Sequence, residues 1–373
     1  QAFVGGSKRL PSVAMPPEKL AKGRFETLKR IGAGCFADVY LGKDTREDKL
    51  VAIKFESKRR QAQPVLEHEA SVVAALRETS PQQGFAECFF YGVEGYYNCM
   101  VMELLGKSLE DHVKACNGKL TVKSTGLIAE QVIQRLELLH SIGFVHRDIK
   151  PENFMFGIGD KVHHLYIIDF GLSKRYWDDR LCMHAPMKQR RMLTGTVRYA
   201  SINTHRGIEQ SRRDDLEAIG HMLMYFLRGA LPWSGLDAKT HEQKLQRIKE
   251  TKEQTTIESL CDGFPGQFAD LLSYARNLGY ADKPDYSKLH AAMRELRQSD
   301  CQDYSFQWFE QESPLPSLIP LVARTSHPQP DDEKMKRPLA PRYTYCGRDR
   351  ISACFNVMLG SSKADADCIK VAE

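Results

Sequence analysis

The stretch His146-Arg147-Asp148-Ile149-Lys150-Pro151-Glu152-Asn153 puts a carboxylate, a cation and a carboxamide on one short loop. Asp148 can take a proton from a hydroxyl. Lys150 can hold a phosphate oxygen. Asn153 can ligate a hard cation through its amide oxygen. Phosphoryl transfer needs these parts close together: a base that orients the nucleophile, charge neutralisation and a metal ligand. A polar turn after a helix would account for one such residue, but not for the whole octapeptide.

Working outward, Ile128, Val132, Ile133, Leu136 and Leu139 mark a long amphipathic helix, ended by Gly143, that delivers the chain to His146. A shorter helix starts at Ser108-Leu109-Glu110-Asp111. Downstream, residues 154–156 and 165–168 read as a hairpin that ends in Asp169-Phe170-Gly171. The tripeptide is common by chance. Its position after the octapeptide and a hairpin gives it weight. Asp169 is the expected ligand of a magnesium ion that bridges terminal phosphates.

The N-terminal third reads as strands around one helix. Residues 24–31 alternate as a strand, and Gly32-Ala33-Gly34-Cys35-Phe36-Ala37-Asp38-Val39-Tyr40 turns into a second. Glycines there let backbone approach phosphates, although a hairpin turn alone would look the same. Val51-Ala52-Ile53-Lys54 reads as an apolar strand ending in a cation. Residues 65–76 carry an apolar stripe at helical period, and Glu69 falls in its middle, beside Leu66, Val73 and Leu76. A carboxylate on a buried face needs a cationic partner or a raised pKa. Lys54 is the expected partner. Residues 98–105 read as a buried strand leaving into a connector at Gly106.

Residues 172–199 form a polar loop rich in cations, among them Lys174, Arg175, Arg191 and Arg198. A solvated face and a grip on anionic substrates are both open readings of that charge. Residues 212–227 turn apolar nearly all round, as a central helix does. Further helices are expected at 244–252, 264–278 and 284–298. Seven of the seventeen prolines lie after residue 300, so residues 299–373 read as a mostly irregular extension.

The 373 residues are 42% hydrophobic and 27% charged, which suits a globular chain with a sizeable core. A net charge of +5 is too mild for an obligate nucleic-acid binder but suits acidic or phosphorylated partners. Ten cysteines without a C-x-x-C pair point away from a disulfide framework or zinc site and toward a reducing compartment. No apolar run reaches bilayer length, and residues 1–15 lack a secretory pattern.

The ordered set Gly32/Gly34, Lys54, Glu69, Asp148/Asn153 and Asp169 resembles a eukaryotic protein kinase, and Lys150 resembles the serine/threonine branch. Residues 193–205 (L-T-G-T-V-R-Y-A-S-I-N-T-H) and 207–217 (G-I-E-Q-S-R-R-D-D-L-E) are similar to the casein kinase 1 family. Met102-Glu103-Leu104-Leu105-Gly106, Leu231-Pro232-Trp233-Ser234-Gly235-Leu236 and Asp282-Lys283-Pro284-Asp285-Tyr286-Ser287 agree with it.

The resemblance implies an α+β, bilobal kinase fold over residues 24–298. The N-lobe would span 24–103, the hinge 103–106 and the helical C-lobe 107–298, between a loose extension at 1–23 and the tail at 299–373. It implies ATP and Mg²⁺ as cofactors, with the backbones of Glu103 and Leu105 on adenine and Met102 as gatekeeper. Ile31, Val39, Ala52, Met155 and Ile168 would wall the adenine, and Gly32, Gly34 and Lys54 would meet phosphates. Asn153 and Asp169 would hold the metal, and Asp215 would brace the catalytic loop. It further implies serine or threonine substrates downstream of an acidic or phosphorylated residue. One anion pocket would lie at Arg198, Gly235 and Lys244, and a second at Arg147, Lys174 and Arg191.

Two departures stand out: Ala37 replaces a glycine, and His241-Glu242 stands where relatives often carry two basic residues. A monomer in the cytoplasm is expected, with the nucleus as a second location. The alternative reading is a nucleotide-binding pseudokinase scaffold, which degenerate catalytic residues would favour; none of the five polar groups is degenerate.

Overall fold

Six antiparallel strands build the N-terminal lobe: β1 (Lys19–Leu20), β2 (Phe25–Ala33), β3 (Asp38–Asp44), β4 (Lys49–Ser57), β5 (Cys88–Glu94) and β6 (Tyr97–Glu103). They lie in the order β1-β2-β3-β4-β6-β5, with helix α1 (Val65–Thr79) inserted in sequence between β4 and β5. This is a computed structural model, and it describes residues 15–34, 37–58, 64–79, 84–296 and 305–311. Most of the expected N-terminal lead-in and most of the tail therefore lie outside the described residues.

Strand register sorts the lobe into two faces. Val39 pairs with Lys54, Lys54 with Met100, and Ala52 with Met102. Directly paired residues share a face. Ala52, Met100 and Met102 accordingly join the main core with Leu66, Val73 and Leu76 of α1. The intervening residues Val51, Ile53, Phe55, Cys99 and Val101 form a separate small core with Leu20 and Phe25. Lys54 was expected to end its strand. Instead β4 continues to Ser57, so the lysine projects from the middle of a paired strand. On α1, Glu69 is buried and Glu67 is exposed, as the apolar stripe requires.

Helices make most of the second lobe. Helix α2 (Leu109–Ala115) starts at a capping box in which Ser108 and Asp111 satisfy each other's backbone N–H groups. Helix α3 (Val122–Ser141) leads through β7 (Phe144–Val145) to the catalytic-type loop, and β8 (Phe154–Phe156) pairs with β9 (Leu165–Ile167). The expected polar loop after residue 172 contains three short strands: β10 (Lys174–Arg175) pairs with β7, and β11 (Trp177–Asp178) pairs with β12 (Met183–His184). Helices α4 (Ile202–His205), α5 (Arg212–Arg228), α6 (His241–Gln254), α7 (Ile257–Cys261), α8 (Gly266–Asn277) and α9 (Tyr286–Glu295) follow. Helix α5 is buried along most of its length and packs on α3 and α8.

The folded unit reaches past the expected boundary at residue 298. A short helix, α10 (Gln307–Gln311), follows Phe306, and both Phe306 and Trp308 belong to the main core. Their rings stack 4.6 Å apart, Trp308 also stacks on His112 at 4.3 Å, and Phe306 meets Phe156 edge-on at 5.1 Å. Two large aromatic rings bury enough area to offset the ordering of a few residues. The proline content further along does not report on this short segment.

Candidate active site

The catalytic-type loop is held from below by α5. The Asp215 carboxylate accepts the backbone N–H of His146 at 2.7 Å and that of Arg147 at 2.9 Å, and it pairs with His140 Nε2 at 2.9 Å. These bonds hold Arg147 at φ 68°, a left-handed conformation that costs about 1–3 kcal/mol outside glycine. Burial opposes ionisation of Asp215, but the contacts with His140, His146 and Arg147 outweigh it and lower its pKa. The bracing expected of Asp215 thus runs through backbone N–H groups.

Asp148 is buried and bonded at both carboxylate oxygens. Its Oδ2 meets Lys150 Nζ at 2.7 Å, and Asn153 Nδ2 donates to the same oxygen at 3.3 Å. Asn153 Nδ2 also donates to the Asp148 carbonyl at 2.9 Å. On the other side, Thr196 donates to Asp148 Oδ1 from its backbone N at 2.8 Å and its hydroxyl at 2.7 Å. Burial alone would raise the Asp148 pKa; Lys150 and Thr196 overcome that and lower it. The ion pair and burial also act on Lys150, whose pKa rises because Asp148 and Asp169 outweigh desolvation.

Thr196 is the residue that motif reading missed. Its neighbour carried the signal: Gly195 sits at φ 94°, and a Cβ there would lie 2.1 Å from the Arg147 carbonyl oxygen. Only glycine lets the segment run this close to the catalytic loop.

Lys54 and Glu69 pair at 2.5 Å across the sheet–helix interface, both side chains nearly buried. Burial would lower the Lys54 pKa, yet Glu69 and Asp169 together raise it. Burial, with a push from Asp169, acts the opposite way on the carboxyl of Glu69. Asp169 acts electrostatically on Lys54, Lys150 and Glu69. Asp169 itself adopts φ 64°. Behind it, Phe170 is buried against Phe85 and His146, and His146 Nε2 contacts the Ile168 carbonyl at 3.1 Å.

The donor set fits magnesium. Asn153 spends its amide hydrogens on Asp148, which leaves the amide oxygen to serve, with the Asp169 carboxylate, as a candidate ligand. Among the described residues no cluster of three or more His, Cys, Asp or Glu forms a cage. Magnesium is ordinarily held by one or two carboxylates plus substrate phosphates, so a cage is not needed.

Three of the expected adenine-facing residues lie together on the sheet. Val39, Ala52 and Met102 share the inner sheet face with Lys54. Gly32 pairs with Val39, while Ile31 is 48% exposed. Ile168 N–H donates to Asn153 O at 2.9 Å, and Met155 bridges to Ser108. In the connector, Glu103 N–H donates to Glu87 O at 2.8 Å and Gly106 N–H to Phe156 O at 2.7 Å, flanking Leu105. At the turn, Gly34 N–H donates to the Ala37 carbonyl at 2.8 Å, and Ala37 is not among the residues of positive φ. Alanine therefore stands at this place without backbone strain. Cys35 and Phe36 lie outside the described residues.

The two expected anion clusters differ. Lys174 Nζ and Arg191 Nε grip one carboxylate, Glu209, at 2.9 and 3.2 Å, while Arg147 Nε donates to Leu172 O at 2.7 Å. A side chain of the protein already shares that cluster's charge. At the other, exposed Arg198 spreads over the rings of Tyr225 and Tyr199, and Gly235 takes φ 69° with open space around it. Lys244 lies in the first turn and a half of α6, whose N-terminus is capped by Thr240. Glu242 in that first turn complements the helix dipole, which gives this departure from the expected basic pair a structural use.

The protein kinase domain model matches residues 25–289. The chain belongs to the protein kinase domain family. Its strand-rich N-terminal region and helical C-terminal region are the mixed α+β, bilobal kinase fold. Phosphoryl transfer from ATP, typically with Mg²⁺, to protein substrates is the activity that membership in this kinase family implies. Among the described residues no helix is long and apolar enough to cross a membrane.

Proposed function

We propose that this kinase is a serine/threonine enzyme of casein kinase 1 type that prefers acidic or phosphate-primed substrates. The observation that carries the reading is Asp148. Its carboxylate is buried, ionised and fixed on one side by Lys150 and on the other by Thr196. Such a group orients a substrate hydroxyl and accepts its proton as the new bond forms. Lys150 would neutralise charge on the group in transfer. Lys54, steadied by Glu69, would hold phosphate oxygens that arrive between the lobes. Bound Mg-ATP supplies the phosphoryl group and neutralises its developing charge; Asn153 and Asp169 are the residues to hold the metal.

Arg198, Gly235 and Lys244 are the proposed site for a phosphate or carboxylate upstream of the target hydroxyl. The cluster of Arg147, Lys174 and Arg191 would take a second anion, in competition with Glu209.

The test is transfer of labelled γ-phosphate to paired serine peptides with and without an upstream phosphoserine, in magnesium buffer. Faster turnover of the primed peptide, lost in Asp169→Ala, is the expected result. Binding of ATP without transfer to any peptide would favour the pseudokinase reading instead. Equal turnover of both peptides would remove the primed preference.

A further inference from the structure

Residues 197–200 turn four successive carbonyl oxygens toward side-chain donors of the C-lobe. Lys252 Nζ of α6 donates to Val197 O at 2.8 Å and to Ala200 O at 2.6 Å. Trp233 Nε1 donates to Arg198 O at 2.7 Å. His221 Nδ1 of α5 meets Tyr199 O at 2.9 Å. A carbonyl only accepts, so Nδ1 carries the proton. Burial, reinforced by the Lys252 charge, lowers the His221 pKa and keeps the ring neutral.

Two of the donors also meet the ring of the third. The Lys252 ammonium lies 5.1 Å from the centre of the Trp233 ring, and His221 packs edge-on to that ring at 4.9 Å. All three side chains are buried, Lys252 and His221 completely. A buried ammonium is expensive unless it is fully engaged, and here it spends its donors on two main-chain oxygens and an aromatic face. Burying it this way is poor economy for stability alone. It does fix backbone at a chosen place.

That place has one direct link to the chemistry. The clamped residues begin one position after Thr196, which donates twice to the catalytic-type Asp148. They include Arg198, the proposed reader of substrate charge. Thr196 O accepts the N–H groups of Tyr199 and Ala200, each at 3.0 Å, which closes the segment into one turn.

We infer that Lys252, Trp233 and His221 are positioning residues for the substrate side of the site, holding residues 197–200 so that substrate recognition at Arg198 stays in register with Asp148. This deepens the proposed function and rests on it for the identity of the substrate. All three are buried, so they act through the segment they hold.

Trp233→Phe tests the idea most cleanly, because it removes one N–H and keeps the ring. One hydrogen bond of about 1.4 kcal/mol corresponds to roughly a tenfold effect. The KM for the primed peptide should rise about tenfold, while the KM for ATP stays unchanged. Lys252→Met should do the same more severely. A merely structural role would lower the active fraction, so kcat would fall with both KM values intact; that pattern overturns the inference. Hydrogen exchange at the Thr196, Tyr199 and Ala200 amides reads the clamp without turnover. It should quicken about tenfold in Trp233→Phe, and unchanged exchange would refute the clamp even if the wild-type chain transferred no phosphate. An inactive wild type with quickened exchange would sink the proposed function and leave the clamp standing.

Discussion

Replacing Asp215 with asparagine tests how much of the catalytic loop depends on one carboxylate. The substitution keeps shape and one acceptor oxygen but turns the other into a donor. Three donors converge on the native carboxylate: His146 N and His140 Nε2 on Oδ2, and Arg147 N on Oδ1. The least costly arrangement puts the amide oxygen in the place of Oδ2, which leaves Arg147 N–H facing an NH₂ group. An orphaned buried N–H costs about 1–3 kcal/mol, and two charge-assisted bonds reduced to neutral ones lose about 1 kcal/mol each. The sum is about 3–5 kcal/mol. In a domain of this size that lowers Tm by roughly 6–20 °C. Arg147 would also be released from its left-handed conformation, and a shift of about 1 Å at Asp148 costs on the order of 100-fold in kcat. Thermal unfolding by circular dichroism and steady-state peptide kinetics read the two effects, with calorimetric ATP binding as a control expected to hold. Unchanged Tm and kcat in Asp215→Asn would refute the idea that these bonds position the loop.

Three further outcomes follow from particular contacts. Glu209→Gln removes the carboxylate shared by Lys174 and Arg191; inorganic phosphate should bind about tenfold tighter, worth about 1.4 kcal/mol by calorimetry, and weaker binding would mean the cluster is structural only. Trp308→Ala removes a ring stacked between Phe306 and His112; it should cost about 3–5 kcal/mol in chemical denaturation. It should also raise the KM for ATP, because Phe156 beneath it bonds both Gly106 and Lys107 of the connector. Burial pushes the Lys252 pKa from 10.5 down to about 7, with Glu217 opposing and Arg276 assisting, and with His205 and His221 also facing the amine. The unfolded chain therefore binds more protons between those two values, so this group's contribution to stability rises with pH across that window. Lys252→Met should flatten the stability–pH slope there, and an unaltered slope would show that the ammonium stays charged.

Where a residue's role is set by its own element, the sequence was readable. Glu69 stood out because helical period puts a carboxylate inside an apolar stripe, and its partner had to be a nearby buried cation. Asp148, Asn153 and Asp169 stood out because their spacing is local. Roles that depend on distant partners were hidden. Glu209 reads as one more surface carboxylate until the chain brings Lys174 and Arg191 to it. Lys252 lies in a helix so charged that it reads as solvated, yet it and Ile248, one turn earlier, are the buried residues of α6. The aromatic anchor at Phe306 and Trp308 was masked by the proline-rich composition around it.

Under the proposed function, the bonds at Asp148 also say what kind of base it would be. Thr196 saturates Oδ1 with two short donors, while Oδ2 holds Lys150 and only a longer contact from Asn153. In the proposed reaction an approaching hydroxyl would therefore find its acceptor at Oδ2, on the side of the cationic lysine. A carboxylate whose pKa its partners have lowered is a poor proton acceptor at neutral pH. It can still fix the direction of a hydroxyl. Transfer through a loose transition state asks little proton abstraction of the protein until the new bond is well formed. The proposed clamp on the segment after Thr196 and the brace on Arg147 would then act on the same quantity, the orientation of Asp148, one from each of two segments.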